Sequence, residues 1–125
     1  MNNLIIDAAN DKIFFIIIAD NKSYTREFVN NRENFDKLVI LVVKFLENHQ
    51  LNIKNLNNIF VNQGPGKFSG IRTSVSIAKA LSLTNKLNLY GFDSKLVKNQ
   101  NYDKIIDLFN KGLLIKNLIK PQYSS

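Results

Sequence analysis

Cysteine is absent from this 125-residue chain, which excludes disulfides, thiolate metal sites and thiol nucleophiles and fits a reducing compartment. Histidine occurs once. A lone His49 cannot complete a zinc site, and its place at the end of a predicted helix suits the helix dipole instead. The apolar run at 13–19 is too short to cross a bilayer. The opening Met1-Asn2-Asn3 carries no basic segment and Asp7 breaks the first apolar stretch, so the expectation is no signal peptide and a cytoplasmic location. Glycine and proline are scarce, at five and two residues, yet three of the glycines and one proline crowd into 64–70.

Acidic residues are outnumbered ten to seventeen by Lys and Arg, for a formal net charge of +7. Such a balance invites a nucleic-acid reading. The lysines are scattered, however, often beside asparagine, with no dense basic block and no basic stripe with interleaved aromatics. Heavy use of Asn, Lys and Ile follows as readily from an AT-rich coding composition. A dedicated RNA-binding surface is the weaker reading, and contact with RNA within a larger assembly stays open. At 45% hydrophobic, the chain has the composition of one globular domain with a real core.

The order of elements reads as α/β. Residues 4–8 are a short apolar strand, 13–19 a buried strand rich in β-branched and aromatic residues, and 24–29 a half-exposed strand, together an antiparallel meander. Residues 31–49 read as a helix capped by Asn31 or Asn34, with an apolar arc wider than one core-facing side needs. A strand at 59–61 leads through the glycine-rich turn into a helix at 71–83. A strand at 87–92 follows, which should lie parallel to or near the one before it. Residues 95–101 look like a polar linker and 102–114 like a last helix. The end, Pro121-Gln122-Tyr123-Ser124-Ser125, looks extended.

Strand, glycine turn and helix in that order can aim backbone N–H groups at an anion. The turn Gly64-Pro65-Gly66-Lys67-Phe68-Ser69-Gly70 is nevertheless no Walker A loop, because no Gly-Lys-Ser/Thr closes it. Its spacing is also wrong for a dinucleotide fingerprint. Pro65 removes one N–H donor, Phe68 is better suited to plugging an apolar pocket, and Ser69 reads as a helix cap. Asp7, ending the first strand, has the chemistry to hold Mg²⁺ through water, or simply to bond nearby backbone. Ala8 and Ala9 add no hydroxyl, and Asp93 is the best-placed second carboxylate. Arg72, in the first turn of a helix, opposes the dipole and is suited to reach an anion or a partner's carboxylate.

Asn62-Gln63-Gly64-Pro65-Gly66-Lys67-Phe68-Ser69-Gly70-Ile71-Arg72 resembles the Gly-Pro-Gly-Ser-Phe-Thr-Gly-Leu/Val-Arg signature of the TsaB (YeaZ) family. Leu4-Ile5-Ile6-Asp7-Ala8-Ala9 and Leu89-Tyr90-Gly91-Phe92-Asp93-Ser94-Lys95-Leu96 resemble that family's first strand and its strand followed by Gly-Val-Ser-Ser-Leu. The likeness runs over about residues 3–97. Lys67 and Ser69 depart from the signature's serine and threonine.

The resemblance implies an actin/sugar-kinase/Hsp70-like (ribonuclease H-like) fold, a mixed sheet of about five strands with flanking helices. It implies a non-catalytic subunit of the bacterial tRNA threonylcarbamoyladenosine-modifying complex, with a TsaD-like catalytic subunit, a TsaE-like ATPase, tRNA reached through the complex, and self-pairing as further partners. No metal, catalytic residue or cofactor is expected on the chain alone. ATP or ADP is expected only at the assembled interface, near Arg72. Gly64, Pro65, Gly66, Phe68, Gly70 and Arg72 would form the docking corner. Val39, Val42, Val43, Ile71, Val75 and Ala78 would form the helical interface. The expected division is a family-like N-terminal domain at 1–98 and a vestigial helix and tail at 99–125, as in a miniature lacking most of the family's second domain. The rival is a small Mg-nucleotide phosphotransferase or hydrolase built on Asp7 and the 64–70 turn.

Overall fold

The first strand, β1 (Asn2–Asp7), sends Leu4 and Ile6 to one face and Ile5 to the other, and all three are fully buried. A strand buried on both faces needs cover on both. The computed structural model, which describes residues 1–116, supplies it with helices on each side of one mixed sheet.

β1 pairs antiparallel with β2 (Lys12–Ala19), which pairs antiparallel with β3 (Lys22–Val29), so the expected meander forms. β4 (Asn58–Asn62) lies parallel to β1, and β5 (Asn88–Phe92) parallel to β4. The two-residue β6 (Ile115–Lys116) adds an antiparallel pairing to β5, giving the order β3-β2-β1-β4-β5-β6. A pairing of two residues is too brief to leave a periodic signal, so the sequence reading stopped at β5.

On one face α1 (Arg32–Asp36), α2 (Leu38–Glu47) and α3 (Phe68–Asn85) cover Leu4, Ile6, Ile13, Phe15, Ile59 and Val61. On the other, α4 (Asp103–Asn110) and the turns before it cover Ile5, Phe14, Ile16 and Phe60. Both faces of β2 are thus buried, which is why 13–17 reads as an unbroken apolar run rather than an alternation.

Several local expectations change. The single helix at 31–49 is two, broken at Lys37 (φ −118°), with no glycine or proline to announce the break. Asn31 does cap, accepting from Asn34 N at 2.9 Å. The supposed linker at 95–101 belongs to 3-10 turns over Ser94–Gln100, started by Asp93, whose carboxylate accepts from Lys95 N at 2.8 Å. Val97 is buried there and Leu96 packs on the second core, so apolar side chains hold a stretch whose composition looks polar. The last helix stops at Asn110, before Gly112 turns to φ +70°, where Leu113 N returns to the Leu108 carbonyl. The expected extended end at 121–125 lies outside the described residues.

Candidate functional site

The C-terminal ends of β1, β4 and β5 meet at one corner, where parallel α/β sheets place their binding sites. Asp7 is buried there. Its Oδ1 accepts from Ala9 N (3.2 Å) and Asn62 Nδ2 (2.9 Å), and its Oδ2 from the Tyr102 hydroxyl (2.7 Å). Every partner is a protein donor. Burial first, then the Asp7 charge and the hydrogen bond to it, push the Tyr102 phenol well above its ordinary value. Asn62 is buried as well and uses its other end twice. Its Oδ1 accepts from Gly64 N (2.8 Å) and lies 2.9 Å from the Ser94 hydroxyl, which is also 2.7 Å from the Pro65 carbonyl.

The glycine-rich turn is built for close approach. A Cβ on Gly70 would stand 2.0 Å from the Ala8 carbonyl oxygen, and one on Gly66 2.4 Å from that of Ala9. The small Ala8 and Ala9 lie buried beneath, so glycines above and alanines below let the start of α3 press on the end of β1. The turn's donors serve this packing: Gly64 N goes to Asn62, and Lys67 N donates to the Ala9 carbonyl at 2.8 Å. Pro65 has no N–H, so the turn has one donor fewer to offer an anion. The Lys67 ammonium bridges to Asp11 Oδ1 at 2.6 Å on the surface and holds that carboxyl below its usual range, through the hydrogen bond first and the charge second.

Phe68 does not plug a pocket. It opens α3, the residue 40% exposed, and the Arg72 guanidinium stands 5.7 Å from its ring centroid. Ser69 lies inside the helix, and the capping position is Lys67, with no side-chain cap bond. Asp93 caps its own turn and does not pair with Asp7. His49 stacks on Tyr24 at 4.1 Å.

Other expected site residues divide by helical period. Val42, Ile71, Val75 and Ala78 lie in the chain's own core, because their stripe is the one facing the sheet, and a docked partner would not reach them. Gly64 and Gly70 are buried too, whereas Pro65 is exposed and Gly66 partly so. Outward stand Val39 (43% exposed), Ile40 (55%) and, half-buried, Val43 on α2, with Phe68, Arg72 and Leu83 (84%) on α3.

Beside the corner a cleft of about 540 Å³ runs past Asp7, lined by Asp11, Lys12, Phe14, Lys95 and Lys98, with Tyr102 closing it over the carboxylate. Tyr102, Asn62 and Ser94 were not singled out from sequence as functional. Asn62 and Ser94 sit in the quoted motifs at strand ends, while nothing local marks Tyr102. Among the described residues, no three His, Cys, Asp or Glu side chains gather to hold a metal ion, and no helix is long and apolar enough to cross a membrane.

Known proteins resemble this chain in sequence and in fold. The family model described as TsaD, tRNA N6-adenosine threonylcarbamoyltransferase, matches residues 29–97, more than half of the chain. The curated tRNA threonylcarbamoyladenosine biosynthesis protein TsaB of Buchnera aphidicola subsp. Schizaphis graminum (strain Sg) is 32% identical over 91 residues, covering 73% of this chain and 43% of that protein. The chain thus spans less than half the length of that relative. Among solved structures, YeaZ from Pseudomonas aeruginosa superposes with a TM-score of 0.73 at 15% identity, over 89% of this chain and 50% of that one. The T. thermophilus RuvC structure in complex with a Holliday junction substrate does so at 0.55 and 10% identity, over 90% and 78%. These two share the fold, an actin-like, ribonuclease H-like sheet with helices on both faces. By the family model, the curated relative and that fold together, the chain belongs to the TsaB/YeaZ family, whose members take part in tRNA threonylcarbamoyladenosine biosynthesis.

Proposed function

We propose that this protein is a cytoplasmic, non-catalytic accessory subunit of the tRNA threonylcarbamoyladenosine-modifying complex. It docks on a TsaD-like catalytic subunit through the outer face of α2 and α3. The observation that carries the reading is the set of exposed apolar side chains on those helices, Val39, Ile40, Phe68 and Leu83, each at least 40% exposed. The TsaE-like ATPase and tRNA join through the catalytic subunit, and ATP or ADP at the assembled interface would meet Arg72.

Size-exclusion chromatography with the TsaD-like subunit of the same genome tests this. The two chains co-elute, and Val39→Asp with Ile40→Asp abolishes co-elution while the far-ultraviolet circular dichroism is unchanged. Absence of co-elution by the unaltered chain, across salt and nucleotide conditions, removes the proposal.

A second reading, a Mg-nucleotide enzyme built on Asp7, draws on the cleft beside that carboxylate. Its chemistry needs Asp7 available, whereas both carboxylate oxygens already accept from protein donors. Calorimetric titration with Mg-ATP separates the two: micromolar binding by the isolated chain, abolished by Asp7→Ala, would favour the enzyme.

A further inference from the structure

Two features meet on the outer side of β3. The first is its backbone. This edge strand is eight residues long, and all of it except Phe28 is exposed. Asn30 N donates to the Asp11 carbonyl at 3.1 Å, one step beyond the Val29–Lys12 pair. Bonding alternates along an antiparallel strand, so the even-numbered residues of β3 bond inward to β2. Ser23, Thr25, Glu27 and Val29 therefore turn their N–H and C=O groups outward, a template for one more strand.

The second is a groove of about 330 Å³ between β3 and α2. Phe28 and Leu41, half-buried, and Phe45, buried, give it an apolar floor, while Arg26, Lys44 and Glu47 line it as exposed charges. Among the described residues none of these three charges forms an ion pair, and the Arg26 guanidinium stands 5.2 Å from the Phe28 centroid instead. Tyr24, Arg26 and Phe28 pair with Ile17, Phe15 and Ile13, which belong to the core that α2 covers, so all three face α2. A strand added outside β3 would send every second side chain to that same face, beside the groove.

We propose that β3 and this groove bind an extended acidic segment of another protein, which joins the sheet as a seventh strand antiparallel to β3. Outward groups of Ser23, Thr25 and Glu27 supply about six backbone hydrogen bonds, and the groove selects the side chains. The residue opposite Arg26 is Asp or Glu, because Lys44 adds a second cation to the same groove. The residues opposite Tyr24 and Phe28 are apolar. These are the non-hydrogen-bonded pairs, with α-carbons about 4.5 Å apart and side chains in closest contact. Charge chooses the occupant. Glu27, the one acid of β3, points to the other face and is held by Lys12 at 2.9 Å. Toward α2 the strand presents only Lys22 and Arg26, which with Lys44 outnumber Glu47. A second copy of this chain would carry the same net +7 to that edge, whereas an acidic strand is drawn to it. None of Val39, Ile40, Phe68 or Leu83 lines the groove, so this proposal and docking through the α2–α3 face can fail separately.

The probe is a terminally blocked octapeptide, Thr-Leu-Thr-Glu-Thr-Ile-Thr-Glu, whose acids fall opposite Arg26 and Lys22 when its first residue lies opposite Val29. In calorimetric titration the full chain is expected to bind it, and to bind the same peptide with lysine at both acidic positions at least about tenfold more weakly. Arg26→Glu is expected to reverse that preference, a readout that loss of structure does not produce. Thr25→Pro removes one outward N–H and no bond to β2, so it weakens both peptides alike. Should Thr25→Pro fail to fold by circular dichroism, the charge reversal decides alone. Val39→Asp with Ile40→Asp is expected to bind the acidic peptide as the unaltered chain does. The proposal is overturned if no heat appears up to about 1 mM acidic peptide, if both peptides bind equally, or if Arg26→Glu keeps the original preference. It is also overturned if the unaltered chain sediments as a dimer that the peptide dissociates, which would assign the edge to a second copy.

Discussion

The Tyr102 hydroxyl donates to Asp7 Oδ2 across 2.7 Å, joining the residue ahead of α4 to the end of β1, 95 positions earlier. This contact closes the cleft over the carboxylate and ties the second core to the glycine corner, since Asp7 also holds Asn62. Tyr102→Phe keeps the ring and deletes one donor to a buried carboxylate, so it is expected to cost about 2 kcal/mol in urea unfolding.

The alkaline limb tests the same contact. Folding raises the Tyr102 phenol above its ordinary 10.0, chiefly by burial. Above pH 10 the unfolded chain therefore loses this proton while the folded one keeps it, and the contribution declines as pH rises. The stability gap between the unaltered chain and Tyr102→Phe is expected to be constant below pH 9 and to change steadily above pH 10. A gap independent of pH to 11 would mean that the phenol ionises freely in the folded protein.

The glycines of the corner make an opposite-sign test of propensity against packing. Gly70 lies within α3, where Gly→Ala alone would stabilise by about 1 kcal/mol. Its new Cβ would sit 2.0 Å from the Ala8 carbonyl oxygen, a backbone atom of a buried strand end. Packing is expected to win, with Gly70→Ala destabilising by about 3 kcal/mol or preventing folding. Gly66→Ala, at 2.4 Å from Ala9, behaves likewise to a smaller extent. A raised melting temperature for Gly70→Ala would show that the corner is loose.

The first five strands, the β1–β2–β3 meander and the nearness of β4 to β5 were legible because their signal is local: β-branched runs, an Asp20-Asn21 turn, and a crossover helix between β4 and β5. The parallel β1–β4 pairing, which joins the meander to the rest of the sheet, has no such local signal. The corner's glycines were equally visible. Their reason was not, because it lies far upstream in Ala8 and Ala9, whose carbonyls the glycines let the turn approach closely. Tyr102 was invisible for the same cause. The interface stripe was misassigned for a different one: at helical spacing, Ile71, Val75 and Ala78 satisfy the sheet first, and only apolar residues beyond that stripe are left for a partner. Val39 and Ile40 are that remainder.

Asp11 offers a spectroscopic check on the surface of the corner. Its carboxyl is held below 3.8 by Lys67, first through the hydrogen bond and then through charge. A depressed folded value means that the contribution is present above 3.8 and fades as pH falls through the folded midpoint. Carbon-detected titration should place Asp11 below an unpaired aspartate, and Lys67→Met or high salt should return it upward. An Asp11 midpoint unmoved by Lys67→Met would sever the link between the turn and the β1–β2 connection.

Phe68 and Arg72 supply the sharpest test of the docking corner. Both are exposed at the first turn of α3, with the guanidinium 5.7 Å from the ring centroid. Arginine and aromatic residues dominate interface energetics when a partner excludes water from them. Phe68→Ala is expected to weaken association with the TsaD-like subunit at least tenfold, about 1.4 kcal/mol, by isothermal titration. Away from the partner, both substitutions should change unfolding stability by only about 0.5 kcal/mol, as exposed sites do. Arg72→Ala separates partner contact from nucleotide contact. If the guanidinium meets a phosphate at the assembled interface, its loss weakens association more in the presence of ATP or ADP than without. If it meets only a carboxylate of the partner, the loss is the same in both. Should neither variant change the affinity, docking passes to Val39 and Ile40 alone, and the corner's role is confined to folding.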